Sequence, residues 1–428
     1  MNKHLIWQLV LICICTLAAG QDLTFRQTNP SGIYKRGKEI SVTALTPGMN
    51  GDSILVRIIR NNRKELSKQS YTIAGDSVPV FRGSFGEPCT ILIEVIHKKD
   101  QFAIGFAVDP RKIKPGGKCP ADFKNYWAAE QGMLETLQMD IRQKPQGSDI
   151  TGSGYFCSDI EINCTGPKPA RGYFAKPENA KPKSLPAVLL VHAAGVKGSW
   201  CRSEPANALK YAKMNALCFD LNAHGMLNGQ PESYYDSLEK GELKMYYLQG
   251  ITQRDQFYFR GMYLRLMRAV EFLSDQPEWD GRRIIVIGES QGGGQALVAA
   301  GLDKRVSAAV AIVPAMCDWM GPEAGREGGW PQPMKAEVPK KRISEAIPYF
   351  DAANLLRKSK AKLFVEIGLI DNTCPPASVF AAVNQSRGKK IIKAVPYRAH
   401  HQPQNSLTKT WEETVYKPRE EFISTFLK

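Results

Sequence analysis

Gly288-Glu289-Ser290-Gln291-Gly292 places a serine between two glycines, directly after the apolar run Ile284 to Ile287 and directly before a helical run. A serine at such a strand-to-helix turn projects its Oγ above a sheet as a nucleophile. The flanking glycines are needed because a Cβ there would clash with neighbouring backbone. The following helix aims its N-terminus at the serine, so the amide of Gln291 is placed to stabilise an oxyanion. A chance GxSxG is common in glycine-bearing chains. What distinguishes this one is its seat between a strand and a helix in an alternating β/α run.

A nucleophilic serine needs a base and an acid. Of the six histidines, His4 lies in an apolar leader, His97 in a β-rich segment, and His192 and His224 precede the serine. An elbow fold orders its triad serine, acid, histidine, which leaves His400 and His401 in a polar loop after the run Ile391 to Pro396. Asp371 ends the apolar run Leu363 to Ile370, at the sheet edge where functional groups gather. Asp303, Glu345 and Asp351 lie in helical or loop contexts and read as solvated, while Glu366, inside the run, reads as a structural partner. A second oxyanion donor is expected from His192-Ala193-Ala194-Gly195, with the Ala194 N–H ahead of that of Ala193. Trp319, Trp330 and Pro331, with the polar Gln402, Gln404 and Asn405, suit a small acyl pocket and a sugar better than a fatty chain.

These residues need a scaffold. From about residue 121, buried-type apolar runs alternate with helical periods: Ala187 to Val191, Glu204 to Lys213, Ala216 to Leu221, Phe257 to Leu273, Arg283 to Ile287 and Ser307 to Val313. That grammar predicts an α/β domain over residues 121–428, a mostly parallel sheet with helices on both faces. Residues 22–110 instead read as short strands punctuated by Gly51-Asp52, Asn61-Asn62, Gly75-Asp76 and Lys99-Asp100, which predicts a small immunoglobulin-like β-sandwich. Residues 111–120, with Pro115-Gly116-Gly117, read as the linker.

The chain has 428 residues, of which 43% are hydrophobic and 23% charged, enough for two domains with real cores. A formal charge of +15 suits a polyanionic neighbour, but no nucleic-acid module and no basic run interleaved with aromatics is present. Lys3 and His4, the apolar run Leu5 to Leu17 and the small Ala18-Ala19-Gly20 form a signal-peptide pattern over residues 1–20. The run is short of the roughly 20 apolar residues that span a membrane, so a secreted or periplasmic protein without a stable membrane anchor is expected. Eight cysteines follow the leader. Cys157 and Cys164 are close enough for a local bridge, while Cys218, Cys317 and Cys374 read as buried free thiols. With neither CxxC nor HExxH, no metal or cofactor is called for.

Gly288 to Leu297 resembles the GxSQGGGxAL signature of the acetyl xylan esterase/cephalosporin-C deacetylase family, carbohydrate esterase family seven. Asp371-Asn372-Thr373-Cys374-Pro375-Pro376 is similar to its acid loop, and Pro396-Tyr397-Arg398-Ala399-His400 to its PYxxH, which selects His400 over His401. Asp122-Phe123 with Trp127, Arg268 to Asp280 and Val313 to Asp318 also fit, so the likeness spans about residues 118–428. The resemblance implies an α/β-hydrolase fold, a Ser290–His400–Asp371 triad, acetylated sugars (xylan or its oligosaccharides first) and closed assemblies of several subunits. Three departures surround the acyl and leaving-group pocket. Asn222-Ala223-His224-Gly225 replaces an Arg-Gly-Gln, Ala194 stands where the family's oxyanion tyrosine is expected, and His401 replaces a frequent glutamate. The open alternative is a serine hydrolase of the same fold acting on other esters or on peptides.

Overall fold

The computed structural model describes residues 23–402 and 407–428; the leader read as a signal peptide, and Gln404 and Asn405, lie outside them. The N-terminal unit contains β1 (Thr24–Gln27), β2 (Ile33–Tyr34), β3 (Ile40–Leu45), β4 (Ser53–Arg60), β5 (Lys64–Thr72), β6 (Ser77–Gly83), β7 (Cys89–His97) and β8 (Asp100–Val108). They form a three-stranded sheet, β1-β3-β6, and a five-stranded sheet, β2-β8-β7-β4-β5. Alternation along β3 and β4 turns Ile40, Val42, Ala44, Ile54 and Val56 inward, onto Ile91, Ile93, Val95 and Phe106. β5 carries mostly charged and polar residues on both faces and so offers no apolar alternation.

The second unit is one nine-stranded sheet. Its strands are β9 (Ile141–Pro145), β10 (Tyr155–Ile162), β11 (Ala170–Pro177), β12 (Leu185–Val191), β13 (Leu217–Asn222), β14 (Trp279–Glu289), β15 (Ala308–Ile312), β16 (Lys362–Gly368) and β17 (Lys390–Val395). The order is β17-β16-β15-β14-β12-β13-β11-β10-β9, parallel from β17 to β13 and antiparallel beyond. β13 and β15 are buried along their whole length, because helices cover both faces. The helix Tyr258–Ser274 packs on one side, with thirteen of its residues buried. No described helix is long and apolar enough to cross a membrane.

The stretch read as a linker is packed rather than free. Asn384 Nδ2 donates to Pro110 O and Ile113 O at 2.9 Å, and the Gly116 N–H donates to Asp318 Oδ1 at 2.7 Å. The eight cysteines among the described residues are unpaired, so the Cys157–Cys164 bridge is absent. The reason is parity: the two residues are seven apart along an extended segment, which sends their side chains to opposite faces. Cys157 packs with Tyr173 and Ala175, whereas Cys164 packs on the core cluster of the opposite face.

Candidate active site

Ser290 sits between β14 and the helix Gln291–Leu302 with φ 55° and ψ −117°, a backbone conformation that costs an L-residue of order 1–3 kcal/mol. The surroundings enforce it. Ser290 N–H donates to Ile312 O at 2.9 Å, and Ser290 O accepts from Ala315 N–H at 2.9 Å and Gly294 N–H at 3.0 Å. The neighbouring glycines are steric necessities: a Cβ on Gly288 would lie 2.4 Å from the Gly292 carbonyl carbon, and one on Gly292 would lie 2.4 Å from Val191 O.

The structure brings Ser290, His400 and Asp371 into one row. His400 Nε2 lies 2.9 Å from Ser290 Oγ, and His400 Nδ1 lies 2.9 Å from Asp371 Oδ2. Asp371 is fully buried, and its other oxygen accepts the N–H groups of Thr373 and Cys374, each at 2.8 Å. That carboxylate therefore has one free direction, toward the imidazole, which fixes a proton on Nδ1 and leaves Nε2 as the acceptor for the serine proton. Ser290 is 8% exposed, enough for its Oγ to meet a surface-borne group. His401 is exposed, with its ring centroid 5.7 Å from that of His400.

Behind this row runs a buried ion pair. Arg398 Nε lies 2.7 Å from Glu366 Oε1, both side chains being fully enclosed, and Trp411 Nε1 donates to the same oxygen at 2.7 Å. Burial pushes the Glu366 carboxyl above its usual range, against the pull of Arg398. Glu366 is thus a structural partner beneath the histidine loop. Asp351, expected to be solvated, is buried. Its carboxylate receives the N–H groups of Asp318, Trp319 and Ala353, while burial and the nearby Asp318 push it up to about 7. Asp303 is also buried and paired with Arg305 at 2.6 Å. Both hold their loops by accepting backbone or guanidinium protons, a use that composition around them does not reveal.

Gln291 is the first residue of its helix, so its N–H has no intrahelical acceptor and can face an oxyanion. Its side-chain Oε1 accepts from Tyr246 OH at 2.5 Å, a tie that the sequence does not signal. The loop after β12 carries Ala194. His224 braces it: Nε2 lies 2.9 Å from Gly195 O and Nδ1 lies 2.7 Å from Tyr258 OH. With Nε2 donating to Gly195 O and Nδ1 accepting from Tyr258 OH, the ring sits as the neutral imidazole, and burial plus the Arg265 charge lower its pKa to about 3. His192 pairs with the buried Asp220; burial works against its charge, yet Asp220 holds its pKa above the usual range. Chain order set these two histidines aside as bases, and the structure gives them work in the loops around the serine.

The aromatic residues are arranged differently from expectation. Trp319 is wholly buried against Phe257 and Phe259, so it cannot meet a sugar; its indole N–H donates to Trp330 O at 3.1 Å. Trp330 is half-buried, its ring centroid 5.3 Å from that of Tyr247, and its N–H donates to Thr373 O at 3.1 Å in the acid loop. Among the described residues the exposed tryptophan is Trp200, at 63%. It lies over glycine backbone, since a Cβ on Gly198 would come within 2.5 Å of its ring, and its N–H donates to Ala194 O at 3.3 Å. Only the absence of an apolar pattern around it could have suggested its exposure.

Asp371, Cys374 and His400 place potential metal-ligating atoms within 4.8 Å of one another. The chemistry of the set does not suit a cation. Both Asp371 oxygens and His400 Nδ1 are engaged in the bonds above, and burial pushes the Cys374 thiol well above its usual pKa, keeping it protonated.

Residues 110–324 and 332–415 match the family model of acetyl xylan esterases. The acetyl esterase Axe7A of Xylanibacter ruminicola is 28% identical over 305 residues, covering 69% of this chain and 66% of that protein, so about a third of the relative's length has no counterpart in the match. Two solved structures share the fold. The acetyl xylan esterase from a Paenibacillus species is 24% identical with a TM-score of 0.59, covering 73% of this chain and 98% of that one. Acetyl xylan esterase 1 from a Thermoanaerobacterium species is 21% identical with a TM-score of 0.59, covering 74% and 98%.

Proposed function

Because the chain belongs to the acetyl xylan esterase family, we propose that it is an exported serine carbohydrate esterase that removes acetyl groups from acetylated sugars, xylan or xylo-oligosaccharides first. The observation that carries this reading is the hydrogen-bonded row Ser290–His400–Asp371 at a strained elbow. Ser290 Oγ attacks the ester carbonyl while His400 Nε2 takes its proton, and Asp371 stabilises the imidazolium so formed. The N–H groups of Gln291 and Ala194 donate to the tetrahedral oxyanion. Collapse breaks the bond to the sugar oxygen, which leaves with the proton from His400. Water, activated by the same imidazole, then frees acetate and restores the serine.

Two features support a sugar as leaving group. Trp200 presents a flat apolar face to solvent one hydrogen bond from Ala194, a surface on which a pyranose ring can rest. Trp330, Tyr246 and Tyr247 form a ring cluster tied to the site by the Tyr246 OH on Gln291 Oε1 and the Trp330 backbone N–H on Thr373 O, and these bulky neighbours favour a short acyl group in this reading. The test is acetate release from acetylated xylan and from aryl esters of increasing acyl length. Expected are turnover by the wild type, a loss of several orders of magnitude in Ser290→Ala, and a fall from acetyl through butyryl to negligible octanoyl hydrolysis. Undiminished release by Ser290→Ala, or octanoyl rates equal to acetyl rates, defeats the reading.

A further inference from the structure

We propose that the N-terminal β-sandwich is part of the catalytic apparatus, holding the acid and histidine loops in register with the serine through Asn62 and Gly105. Asn61 and Asn62 form the turn between β4 and β5 with φ 54° and 53°, values that asparagine tolerates better than other side-chain-bearing residues. That turn aims the Asn62 amide across the domain boundary. Its Nδ2 donates to Asp371 O at 3.0 Å and to Asn372 Oδ1 at 2.8 Å, so both amide protons are spent on the acid loop. Asn61 is anchored in its own domain by its N–H to Thr90 O and its Oδ1 from Thr90 N–H, and its carbonyl accepts the Glu327 N–H at 3.1 Å.

The histidine loop is held from the same domain. Gly105 N–H, on β8, donates to Pro396 O at 2.8 Å, four residues before His400. A Cβ on Gly105 would lie 2.2 Å from Leu369 O, two residues before Asp371, so backbone meets backbone with no side chain between. Gly32, at φ 68°, lies against the side chains of the same two residues: a Cβ there would stand 3.0 Å from Pro396 Cγ and 3.1 Å from Leu369 Cδ1. Two of the three members of the row thus stand on loops whose outer sides rest on the β-sandwich, while Ser290 is fixed within the sheet. Asn62 is a positioning residue: it touches no substrate and acts by fixing the peptide from which the Asp371 carboxylate is aimed at His400.

This inference rests on the triad reading, and the test separates the two. Asn62→Gly keeps the positive φ and removes the amide; Asn62→Asp keeps the shape and removes the donor. In the full chain both should lower kcat on an aryl acetate about tenfold with KM unchanged. Both should also shift or broaden the far-downfield proton resonance of the His400–Asp371 hydrogen bond, assigned by its loss in His400→Ala. Arg82→Ala, which breaks an exposed pair with Glu39 on the same domain, should leave both readouts intact. Wild-type kcat with an unmoved resonance in both Asn62 variants overturns the proposal, as does a loss that appears in KM alone. An active Ser290→Ala would instead overturn the triad reading, whatever Asn62 does.

Discussion

Gly292→Ala probes how closely the elbow is built. The added Cβ would stand 2.4 Å from Val191 O and 2.8 Å from the Val191 carbonyl carbon, and real Cβ atoms essentially never approach within 3.0 Å. The helix Gln291–Leu302 and the end of β12 must therefore part by at least 0.6 Å, the difference between 3.0 and 2.4 Å. That movement separates the Gln291 N–H from the loop carrying Ala194, the two groups assigned to the oxyanion. Overpacking of this kind costs about 1–3 kcal/mol of stability, and a misplacement approaching 1 Å at a reacting centre costs about 10²-fold in rate. Gly301→Ala supplies the comparison: on the same helix, its Cβ would lie 2.6 Å from Leu355 O, a similar clash far from the serine. Denaturant unfolding should give comparable losses for the two variants, while kcat on an aryl acetate should fall about 10²-fold for Gly292→Ala alone. Equal activities at equal stabilities would refute the claim that the elbow's spacing sets the rate.

His400→Ala should abolish acetate release while His401→Ala keeps a sizeable fraction, since only His400 reaches both Ser290 and Asp371; the opposite ranking would reject the geometry. Trp200→Ala should lower kcat/KM on acetylated xylo-oligosaccharides about fivefold to thirtyfold, a loss of roughly 1–2 kcal/mol, and leave aryl acetate hydrolysis near wild type; equal loss on both would make it a loop support instead. His224 has a folded pKa lowered from 6.5 to about 3, so the unfolded chain binds its proton first. Stability should be full above pH 6.5 and fall by about 1.4 kcal/mol per unit as pH drops toward 3, and unfolding of His224→Gln measured between pH 6 and 5 should lack that component. Parallel profiles for the two proteins would dismiss it.

What could be read in the sequence followed from local chemistry. Ser290 announces itself because elbow, strand and helix are contiguous; Asp371 and the pair His400/His401 follow from chain order and from the ends of β16 and β17, and the PYxxH likeness chooses His400 within that pair. The rest depends on contacts between distant segments. Asn62 meets Asp371 across 309 positions, and nothing in an Asn-Asn turn reveals which surface it will face. Trp319 and Trp200 illustrate the limit within a single residue type: composition treats them alike, but the first fills the core beside Phe257 and the second lies on bare glycine backbone in water. The sandwich was legible in β3, β4, β7 and β8, whose apolar alternation or apolar runs are strong. It was not in β5, whose stability comes from pairing with β4 rather than from any buried face.

The eight unpaired cysteines have a practical consequence. The thiolate is the form that oxidises and alkylates. Burial pushes Cys89 and Cys157 up to about 11 and Cys201 to about 12, and it holds Cys218, Cys317 and Cys374 well above the usual thiol range. Folded, these six sulfurs are enclosed and held protonated, and no crosslink joins them. Each becomes reactive only when its own region opens. Cys89 therefore reports opening of the sandwich, Cys218 opening of the sheet, and Cys374, whose N–H is bonded to the Asp371 carboxylate, opening of the acid loop. Mapping alkylation site by site would turn the chain into its own recorder of which part loosens first.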